Sequence, residues 1–413
     1  MGYVGLPLSI AFSKKYSVVG YDININRINE LNSGTDITCE VKKFKPSYKN
    51  LIFSNDKGSL VDCNIFIVTV PTPVDKKNNP DLSNLSNACK LISKYLKKNT
   101  IVIFESTVYP GCTEEFCKSI LEKNSNLKLN KDFYLGYSPE RINPGRSKKK
   151  IYDIIKITSG SNFKSAKIID KLYKNIIPAG TIMVSSIKVA EAAKVIENTQ
   201  RDLNIAFINE LSMLFDKIGL DTSEVLSAAE TKWNFNKYYP GLVGGHCIGV
   251  DPYYLSFKSK LLGFKTSMVL AGRKLNNQMP TYIFKKMIKA LSISKKKLTK
   301  KKVLILGATF KENCSDFRNS KIFNIMRKLN QRRIFFKVYD PYFTFNSKFK
   351  LDFKEKFFKF EEINDKFDII LVAIGHDKFK SIGIKKLKKM LSRNGKIFDL
   401  KSIYKKEETF FRL

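Results

Sequence analysis

One cysteine of the chain lies in a segment that could expose its sulfur to a substrate. The segment reads Gly241-Leu-Val-Gly-Gly-His-Cys247-Ile-Gly-Val-Asp251-Pro-Tyr-Tyr, with four glycines around the cysteine and a carboxylate four residues after it. Glycine has no side chain, so a bulky molecule could approach the thiol. His246 is a weak candidate for its base, because adjacent side chains on extended backbone point to opposite faces. The pattern predicts a nucleophilic Cys247 whose pKa a cation from elsewhere would have to lower.

Lys194 and Asn198 could supply positive charge and hydrogen bonds to such a site. They are four residues apart in Ala190-Glu-Ala-Ala-Lys-Val-Ile-Glu-Asn198, so they share one face of a predicted helix. The alanines beside them leave space, and an ammonium together with an amide donor could hold an oxyanion. The alternative, which the pattern leaves open, is an ordinary solvated lysine next to an apolar stripe.

The N-terminal residues have the features of a dinucleotide-binding turn. Gly2 and Gly5 precede a helical pattern, and Asp22 ends the next predicted strand, twenty residues after Gly2. Such glycines let the backbone approach a pyrophosphate at a helix N-terminus, and the carboxylate can accept hydrogen bonds from a ribose. Asp22 favours NAD over NADP because it would repel a 2′-phosphate. The first glycine of the fingerprint and its strand do not occur before Gly2, so we expect a missing first strand and weakened cofactor binding.

Polar clusters also follow three other apolar runs. They are Val68-Thr-Val-Pro-Thr72-Pro, Glu105-Ser-Thr107 and Ser138-Pro-Glu140-Arg141. Each alone is more typical of a loop cap than of a site. Three clusters at the carboxyl ends of parallel strands favour a ligand-binding cleft, because ligands of α/β proteins bind at that edge.

The elements that must position these residues follow an alternating pattern. Short apolar runs alternate with helical patterns at first, a long helix is predicted for residues 186–218, and a second alternating series follows a basic linker near residue 295. This predicts an α/β protein with two Rossmann-like parallel-sheet domains joined by a long central helix and a helical middle domain. The predicted domains are residues 1–184, which bind NAD, 185–294, which carry Cys247, and 295–413.

Composition excludes several classes of protein. The 413 residues, 43% of them hydrophobic, suffice for two or three domains with cores, and no apolar run is long enough to span a bilayer. The formal charge is +36, but the lysines are spread along the chain, which favours compositional drift over a nucleic-acid-binding face. Seven cysteines without C-x-x-C spacing and two histidines predict neither a disulfide framework nor a metal site, and they indicate a reducing cytoplasm.

Taken together, the motifs resemble the UDP-glucose/GDP-mannose dehydrogenase family over nearly the whole chain, and most closely its bacterial UDP-N-acetylhexosamine 6-dehydrogenases of polysaccharide synthesis. The resemblance rests on the segments above, on Lys232-Trp-Asn-Phe235 and on Thr309-Phe-Lys-Glu-Asn-Cys-Ser-Asp-Phe-Arg318. It implies NAD-dependent oxidation of the sugar's carbon-6 alcohol to the acid, a homodimer formed through the central helix, and a UDP-binding C-terminal domain. A thiohemiacetal and then a thioester on Cys247 would retain the reactive aldehyde between two oxidations.

The same resemblance implies roles for individual residues. Catalysis would use Cys247, Lys194, Asn198, Asp251, Glu140 and Thr107. The cofactor would contact Gly2, Tyr3, Val4, Gly5, Asp22, Arg27, Thr72, Thr107 and Arg318. The substrate would contact Glu140, Arg141, Asn143, Lys194, Asn198, Gly244, His246, Arg273 and Lys311. Lys194 and Asn198 would stabilise oxyanions, with Asp251 orienting Lys194, and no residue would bind a metal.

Two other interpretations stay open at this point. A hydroxyacid dehydrogenase shares a Rossmann domain, a long helix and a Lys/Asn pair, but it would need no Cys247 and would form one NADH per substrate instead of two. An inactive dimerising homologue would explain the absent first strand and the drifted composition. Residues 145–150, Gly-Arg-Ser-Lys-Lys-Lys, also lack the acidic and histidine residues expected there in the family.

We expect Asp22 to make the protein select NAD over NADP. Its carboxylate repels the 2′-phosphate of NADP. NADP also lacks the ribose 2′-hydroxyl of NAD, from which the carboxylate would accept a hydrogen bond. A buried polar group without its partner costs roughly 1–3 kcal/mol, so kcat/KM should favour NAD by about 5- to 150-fold. Steady-state kinetics with both cofactors measures the ratio. Equal efficiencies would contradict the assignment of Asp22.

Overall fold

The computed structural model describes residues 1–38, 41, 44, 48–141, 151–293, 296–344 and 351–413. These residues form two compact units. The first contains Met1–Glu197 and Tyr253–Lys265, and the second contains Asn198–Pro252 and Thr266–Leu413. Two of the three boundaries, at residues 197/198 and 252/253, fall within helices, and the third lies between two helices. The three-domain division at residues 184 and 294 therefore stays a prediction.

The first unit alternates strands with helices, as the apolar runs predict. Its helices are α1 (Gly5–Ser13), α2 (Ile25–Asn32), α3 (Ser83–Ser93), α4 (Lys118–Ser125) and α5 (Phe163–Lys174). Its strands are β1 (Val18–Tyr21), β2 (Leu51–Ser54), β3 (Ile65–Val68), β4 (Thr100–Phe104), β5 (Phe133–Tyr137), β6 (Lys156–Gly160) and β7 (Thr181–Met183). Strands β3 to β7 form one sheet in chain order, and every pair in it is parallel except β5 with β6.

Strand β4, which lies between β3 and β5, is buried on both faces. All five residues of β4 are buried, which is typical of a parallel sheet covered by helices. Ile101 and Ile103 pack in one core cluster with Phe12 of α1 and Tyr173 of α5. The rings of Phe12 and Tyr173 meet edge to face, with their centroids 5.6 Å apart. Because β3, β4 and β5 are parallel, their carboxyl ends lie at a common edge.

The N-terminal sheet is interrupted between β1 and β3. Strand β1 pairs in parallel with β2 as a separate two-stranded sheet, whereas β3 pairs with β4. Within the described residues, no strand pairs with both β1 and β3.

The second unit contains the other parallel sheet. Helices α6 (Ile187–Ile218) and α8 (Asp251–Leu261) cross the unit boundaries; the remaining helices are α7 (Thr222–Ala229), α9 (Ser267–Ser292), α10 (Ile322–Gln331), α11 (Asp377–Ile382) and α12 (Ile384–Lys389). The strands are β8 (Lys302–Leu306), β9 (Phe335–Tyr339), β10 (Phe367–Val372), β11 (Leu391–Asp399) and β12 (Phe411–Arg412). They lie in the order β12-β11-β10-β8-β9 with every pair parallel. Met279 and Ile283 of α9 pack in one core cluster with Ile325 of α10 and Val303 of β8.

The predicted fold class is confirmed, and the long helix predicted for residues 186–218 is α6. Strands β2, β6, β7 and β12 were not predicted. In the part of the chain that the structure describes, no helix is at once long and apolar enough to cross a membrane.

Candidate active site

Cys247 lies on a turn immediately before helix α8. Its backbone carbonyl accepts hydrogen bonds from the N–H groups of Val250 and Asp251, at 3.0 and 2.9 Å, so the turn leads directly into the helix. Among the cysteines that the structure describes, Cys247 is the exposed one, while Cys63 is half-buried and Cys89 is buried. Cys39 lies outside the described residues. The position of Cys247 fits a thiol that meets a ligand.

Helix α6 holds both ends of the segment that carries Cys247. Asn209 donates from Nδ2 to the Gly241 carbonyl at 3.0 Å, and its Oδ1 accepts from the Gly241 N–H at 2.8 Å. Asn198, eleven residues earlier on the helix, donates from Nδ2 to Asp251 Oδ2 at 2.6 Å. Asn198, Asn209 and Asp251 are buried, and so is Gly241. The turn is therefore fixed before and after the thiol.

The same face of α6 holds helix α9. Asp202 forms a buried ion pair with Arg273, and Asn276 donates to Asp202 Oδ1 at 2.7 Å. Burial raises the pKa of Asp202, and the Arg273 guanidinium opposes the rise. Arg273, an expected substrate residue, is only 2% exposed and also donates to Asn277 at 2.8 Å. In this structure, Arg273 joins α9 to α6 through its ion pair with Asp202.

Two glycines near Cys247 are required by close packing. A Cβ added to Gly244 would come within 2.6 Å of the Asn319 carbonyl oxygen, and one added to Gly245 within 2.8 Å of the Phe310 ring. Gly245 also has a φ of +80°, a conformation that favours glycine. We expected these glycines to admit a substrate. The structure shows that they let the turn pack against residues 309–321, and access of a substrate to the thiol stays a prediction.

That neighbouring segment carries two more of the expected residues. Arg318 forms an ion pair with Asp316 at 2.7 Å, and the Lys311 carbonyl accepts from Thr309 Oγ1 at 2.9 Å. Partial loss of hydration, followed by repulsion from Arg318, lowers the pKa of His246. The second unit thus brings Cys247, His246, Asn198 and Asp251 into one region with the segment that contains Arg318.

Sequence reasoning missed one cation beside Arg273. Lys321 donates to Asn277 Oδ1 at 3.1 Å. Burial, and then repulsion from Arg273, lowers the pKa of Lys321 to about 8. The crowding of two cations would favour an anionic ligand. No pattern around Lys321 marks it, because lysines are common throughout this chain.

In the first unit, three of the expected cofactor residues line one cavity. Gly2, Asp22 and Arg27 are among the residues that line a space of about 230 Å³. Asp22 accepts from the Asn24 N–H at 2.9 Å and from the amino group of Met1. Arg27 is buried in ion pairs with Glu30 and Asp36 and shapes the cavity wall. A carboxylate at the rim of a cavity beside Gly2 fits the adenosine end of NAD.

Three more of the expected cofactor residues, Tyr3, Val4 and Gly5, lie next to that cavity along the chain. Tyr3 and Val4 are half-buried and lead into α1, which begins at Gly5. A Cβ added to Gly5 would come within 2.9 Å of Thr69 Oγ1, at the end of β3. Glycine is needed here because the helix start approaches the strand end closely.

Thr72 and Thr107 lie together at the edge of the sheet. Thr72 Oγ1 donates to the Thr107 carbonyl at 2.6 Å, and Ser106 Oγ donates to the Val70 carbonyl at 2.7 Å. Tyr254, which sequence reasoning left without a role, is buried and donates from its hydroxyl to the Thr72 carbonyl at 2.6 Å. The two polar clusters after β3 and β4 therefore form one hydrogen-bonded edge.

Glu140 stands beside a buried ion pair. Lys156 Nζ lies 2.6 Å from Glu105 Oε2 and 3.7 Å from Glu140 Oε2, and Tyr173 donates to Glu105. Burial raises the pKa of Glu105, although the Lys156 ammonium opposes the rise. Glu105 belongs to a cluster predicted as a ligand edge, and the structure places it inside the protein. Lys156 and Tyr173 were missed, because nothing in the sequence links them to Glu105.

The remaining expected residues of this unit are Arg141, Lys194 and Asn143. Arg141 forms an ion pair with Glu197 at 2.7 Å and donates to the Ile155 carbonyl at 2.9 Å. Lys194 is buried on α6, one helical turn before Asn198. Asn143 lies outside the described residues.

Glu191, also on α6, was overlooked by sequence reasoning. Its carboxylate is fully buried and accepts from the backbone N–H groups of Gly111 and Thr113, the latter at 2.9 Å. Burial raises its pKa to about 7, and the two backbone hydrogen bonds oppose the rise. Buried polar residues at helical spacing could have revealed it, since Glu191 lies three residues before Lys194.

In the described residues, no three potential metal-ligating side chains cluster together.

Three family models match the chain in succession. Residues 1–177 match the NAD binding domain of the UDP-glucose/GDP-mannose dehydrogenase family, residues 188–278 match its central domain, and residues 304–406 match its UDP binding domain.

Individual relatives also match this chain, over nearly the whole length of both proteins. The chain is 47% identical to a UDP-N-acetyl-D-glucosamine 6-dehydrogenase of Pseudomonas aeruginosa, over 100% of this chain and 98% of that protein. It is 44% identical to a protein of the same name from Salmonella typhi, over 100% and 97%. A solved structure of a UDP-D-ManNAc dehydrogenase from Pyrococcus horikoshii superposes with a TM-score of 0.89 at 30% identity, covering 100% of this chain and 96% of that one.

Replacing Asn209 with leucine should destabilise the second unit. Leucine leaves the N–H and C=O of Gly241 without partners in the interior, so we expect the free energy of unfolding to fall by about 2–4 kcal/mol in urea titrations. Asn204→Leu is a matched control on the same helix, because Asn204 donates only to the exposed Gln200 carbonyl. Equal losses in both variants would contradict the structural role of Asn209.

Glu191 should make stability depend on pH. Burial raises its pKa from 4.5 to about 7, so between these values the folded state binds more protons than the unfolded state. The contribution of Glu191 to the free energy of unfolding therefore declines as the pH rises through this window, by about 3 kcal/mol in total. Unfolding at pH 5 and pH 8 should differ less in Glu191→Gln than in the wild type. The same pH dependence in both proteins would refute this origin.

Proposed function

Because the chain belongs to the UDP-glucose/GDP-mannose dehydrogenase family, we propose that it oxidises the carbon-6 alcohol of a UDP-N-acetylhexosamine to the uronic acid. The chain is an NAD-dependent oxidoreductase, as its family is. The observation that carries the finer proposal is the exposed Cys247, on a turn held at both ends by α6. The named substrates of the two Pseudomonas and Salmonella relatives support the sugar class.

The proposed reaction converts one alcohol, two NAD⁺ and one water into one carboxylate, two NADH and three protons. When bound, NAD supplies the hydride acceptor for both oxidations. The cavity beside Gly2 and Asp22 would hold its adenosine end, and Thr72 and Thr107 would contact it at the sheet edge. The Asp22 carboxylate would accept the ribose hydroxyls.

Cys247 would retain the intermediate on the enzyme. Its sulfur adds to the carbon of the aldehyde, and the carbonyl oxygen becomes the hydroxyl of a thiohemiacetal. Oxidation of that adduct gives a thioester. Water then adds to the thioester carbon, the carbon–sulfur bond breaks, and the thiol is regenerated with a proton. This order keeps a reactive aldehyde from escaping between the two oxidations.

Polar residues would stabilise the charge that develops on the reacting oxygen. Asn198 is oriented by Asp251 through a 2.6 Å hydrogen bond, which fixes the direction of its amide. Lys194 would supply an ammonium one turn earlier on α6, so that both donors could face an oxyanion. Glu140 and Thr107 would handle the water and its protons. Arg141, Arg273 and Lys311 would bind the nucleotide sugar.

We also propose that two copies associate through α6. The helix exposes Val189, Ile196, Phe207, Leu214 and Ile218, which are 7, 11, 7 and 4 residues apart and so share one face. An exposed apolar stripe of this kind is typical of an interface. Within this proposal, residues 1–184, 185–294 and 295–413 serve NAD binding, dimerisation with catalysis, and UDP binding. The cysteine pattern keeps a cytoplasmic location as our prediction.

Cys247→Ala should abolish formation of the acid. Every other described cysteine is more buried, so none can replace the sulfur adduct. Mass spectrometry of the sugar and the count of NADH per sugar measure the outcome, and the wild type should give two NADH. Cys63→Ala is the matched control and should keep wild-type turnover. Acid production by Cys247→Ala at a near wild-type rate would remove Cys247 from the mechanism, and one NADH per sugar in the wild type would favour a hydroxyacid-type dehydrogenase.

A further inference from the structure

An irregular segment joins β4 to the helical turn that begins at Thr113. Residues 105–112 include the predicted catalytic Thr107 and end beside Gly111, whose φ is +96°. A π-helical turn, Thr113–Cys117, continues into α4. Such a segment forms no regular ladder of backbone hydrogen bonds, so its position depends on other partners.

Glu191 supplies those partners at one end of the segment. Its carboxylate accepts from the N–H groups of Gly111 and Thr113, about eighty residues away in sequence, and the side chain is fully buried. The N–H groups at the start of a helix have no partner within the helix and favour negative charge. A carboxylate at this position therefore meets both needs.

The other end of the segment is held by the strand edge. Ser106 donates to the Val70 carbonyl, and the Thr107 carbonyl accepts from Thr72, whose own carbonyl accepts from Tyr254. Thr107 consequently lies between a fixed edge and the Glu191 clamp. Loss of the clamp would release only one side.

We propose that Glu191 is a positioning residue, which fixes the Thr107 segment to the helix that carries Lys194. Glu191 and Lys194 are three residues apart on α6 and so share one helix face. Through its hydrogen bonds to Gly111 and Thr113, Glu191 fixes the position of the segment relative to α6. The inference rests on the proposed function, because it assumes that Thr107 and Lys194 serve the same reaction.

Loss of a positioning residue changes the kinetics of the folded enzyme, whereas loss of a purely stabilising residue does not. Glu191 lies among backbone groups and is not expected to bind the nucleotide, so its loss should leave the KM of the UDP-sugar within about twofold. A displacement of about 1 Å at a reacting group can cost roughly 100-fold in rate. We therefore expect the loss to appear in kcat.

The test compares Glu191→Ala, which removes both acceptor oxygens, with Glu191→Gln, which keeps one. Glu210→Gln is the matched control, because Glu210 is an exposed glutamate on the same helix. Each protein is assayed with NAD and UDP-N-acetylglucosamine well below its melting temperature, and kcat is expressed per folded molecule. Hydrogen exchange of the ligand-free proteins, read by mass spectrometry, follows residues 108–113.

We expect kcat to fall about 100-fold in Glu191→Ala and about tenfold in Glu191→Gln, with KM nearly constant. Exchange of residues 108–113 should accelerate about tenfold in Glu191→Ala and stay unchanged in the control. The partial recovery by glutamine would show that the acceptor matters. Wild-type kcat in both variants, or a fall in melting temperature alone, overturns the proposal.

The exchange measurement separates this proposal from the proposed function. If the wild type oxidises no UDP-N-acetylhexosamine, the proposed function fails, and so does the catalytic part of the inference. Faster exchange confined to residues 108–113 would still support Glu191 as the clamp of that segment. Unchanged exchange in Glu191→Ala would overturn the clamp whatever the activity.

Discussion

The structure depends on pairing the polar side chains that α6 buries. A helix of 32 residues would normally bury an apolar stripe, yet this one also buries Glu191, Asn198, Asp202 and Asn209. Each of these groups costs free energy in the interior unless it is hydrogen-bonded. Rotation of the helix about its axis, or a shift by one residue, would break several of these pairs together. The pairing therefore selects one register of α6 against its neighbours in each unit.

This constraint explains how irregular chain segments can carry chemistry. The turn with Cys247 and the segment with Thr107 are not part of any sheet, so they could in principle adopt many conformations. In each unit, α6 side chains hydrogen-bond to the backbone of such a segment: Asn209 to Gly241, and Glu191 to Gly111 and Thr113. Backbone groups occur at every residue, so these contacts fix position without dictating side-chain identity. The side chains that point to a ligand can then be chosen for reactivity alone.

Much of the fold was predictable from the sequence, because apolar period decides the regular elements. Helix α6 was placed to within a residue, since it has a strong period and clear ends. The exposed thiol of Cys247 was also predictable, because glycine and cysteine identities are visible directly. Residue roles taken from family resemblance stay predictions.

The supporting residues were harder to predict for a physical reason. Glu105 pairs with Lys156 across 51 residues, and Glu191 with Thr113 across 78. Such contacts depend on the closed tertiary structure and leave no local pattern. The glycines at 244 and 245 show the converse problem, because their pattern was visible but their packing against Phe310 and Asn319 was not.

The interior of this chain depends on specific hydrogen bonds and ion pairs, whereas its surface depends on them little. This difference affects how the chain can evolve. Its lysine and arginine side chains outnumber aspartate and glutamate by 74 to 38, and exposed ion pairs contribute little to folding. Mutational bias can therefore rewrite the solvent-facing positions, residue after residue, with little selective penalty. A lysine arriving next to Asn209 would instead need a counter-charge that the neighbouring backbone cannot provide. Lineages with this architecture should diverge widely in isoelectric point while the α6 interior changes only by coordinated replacement.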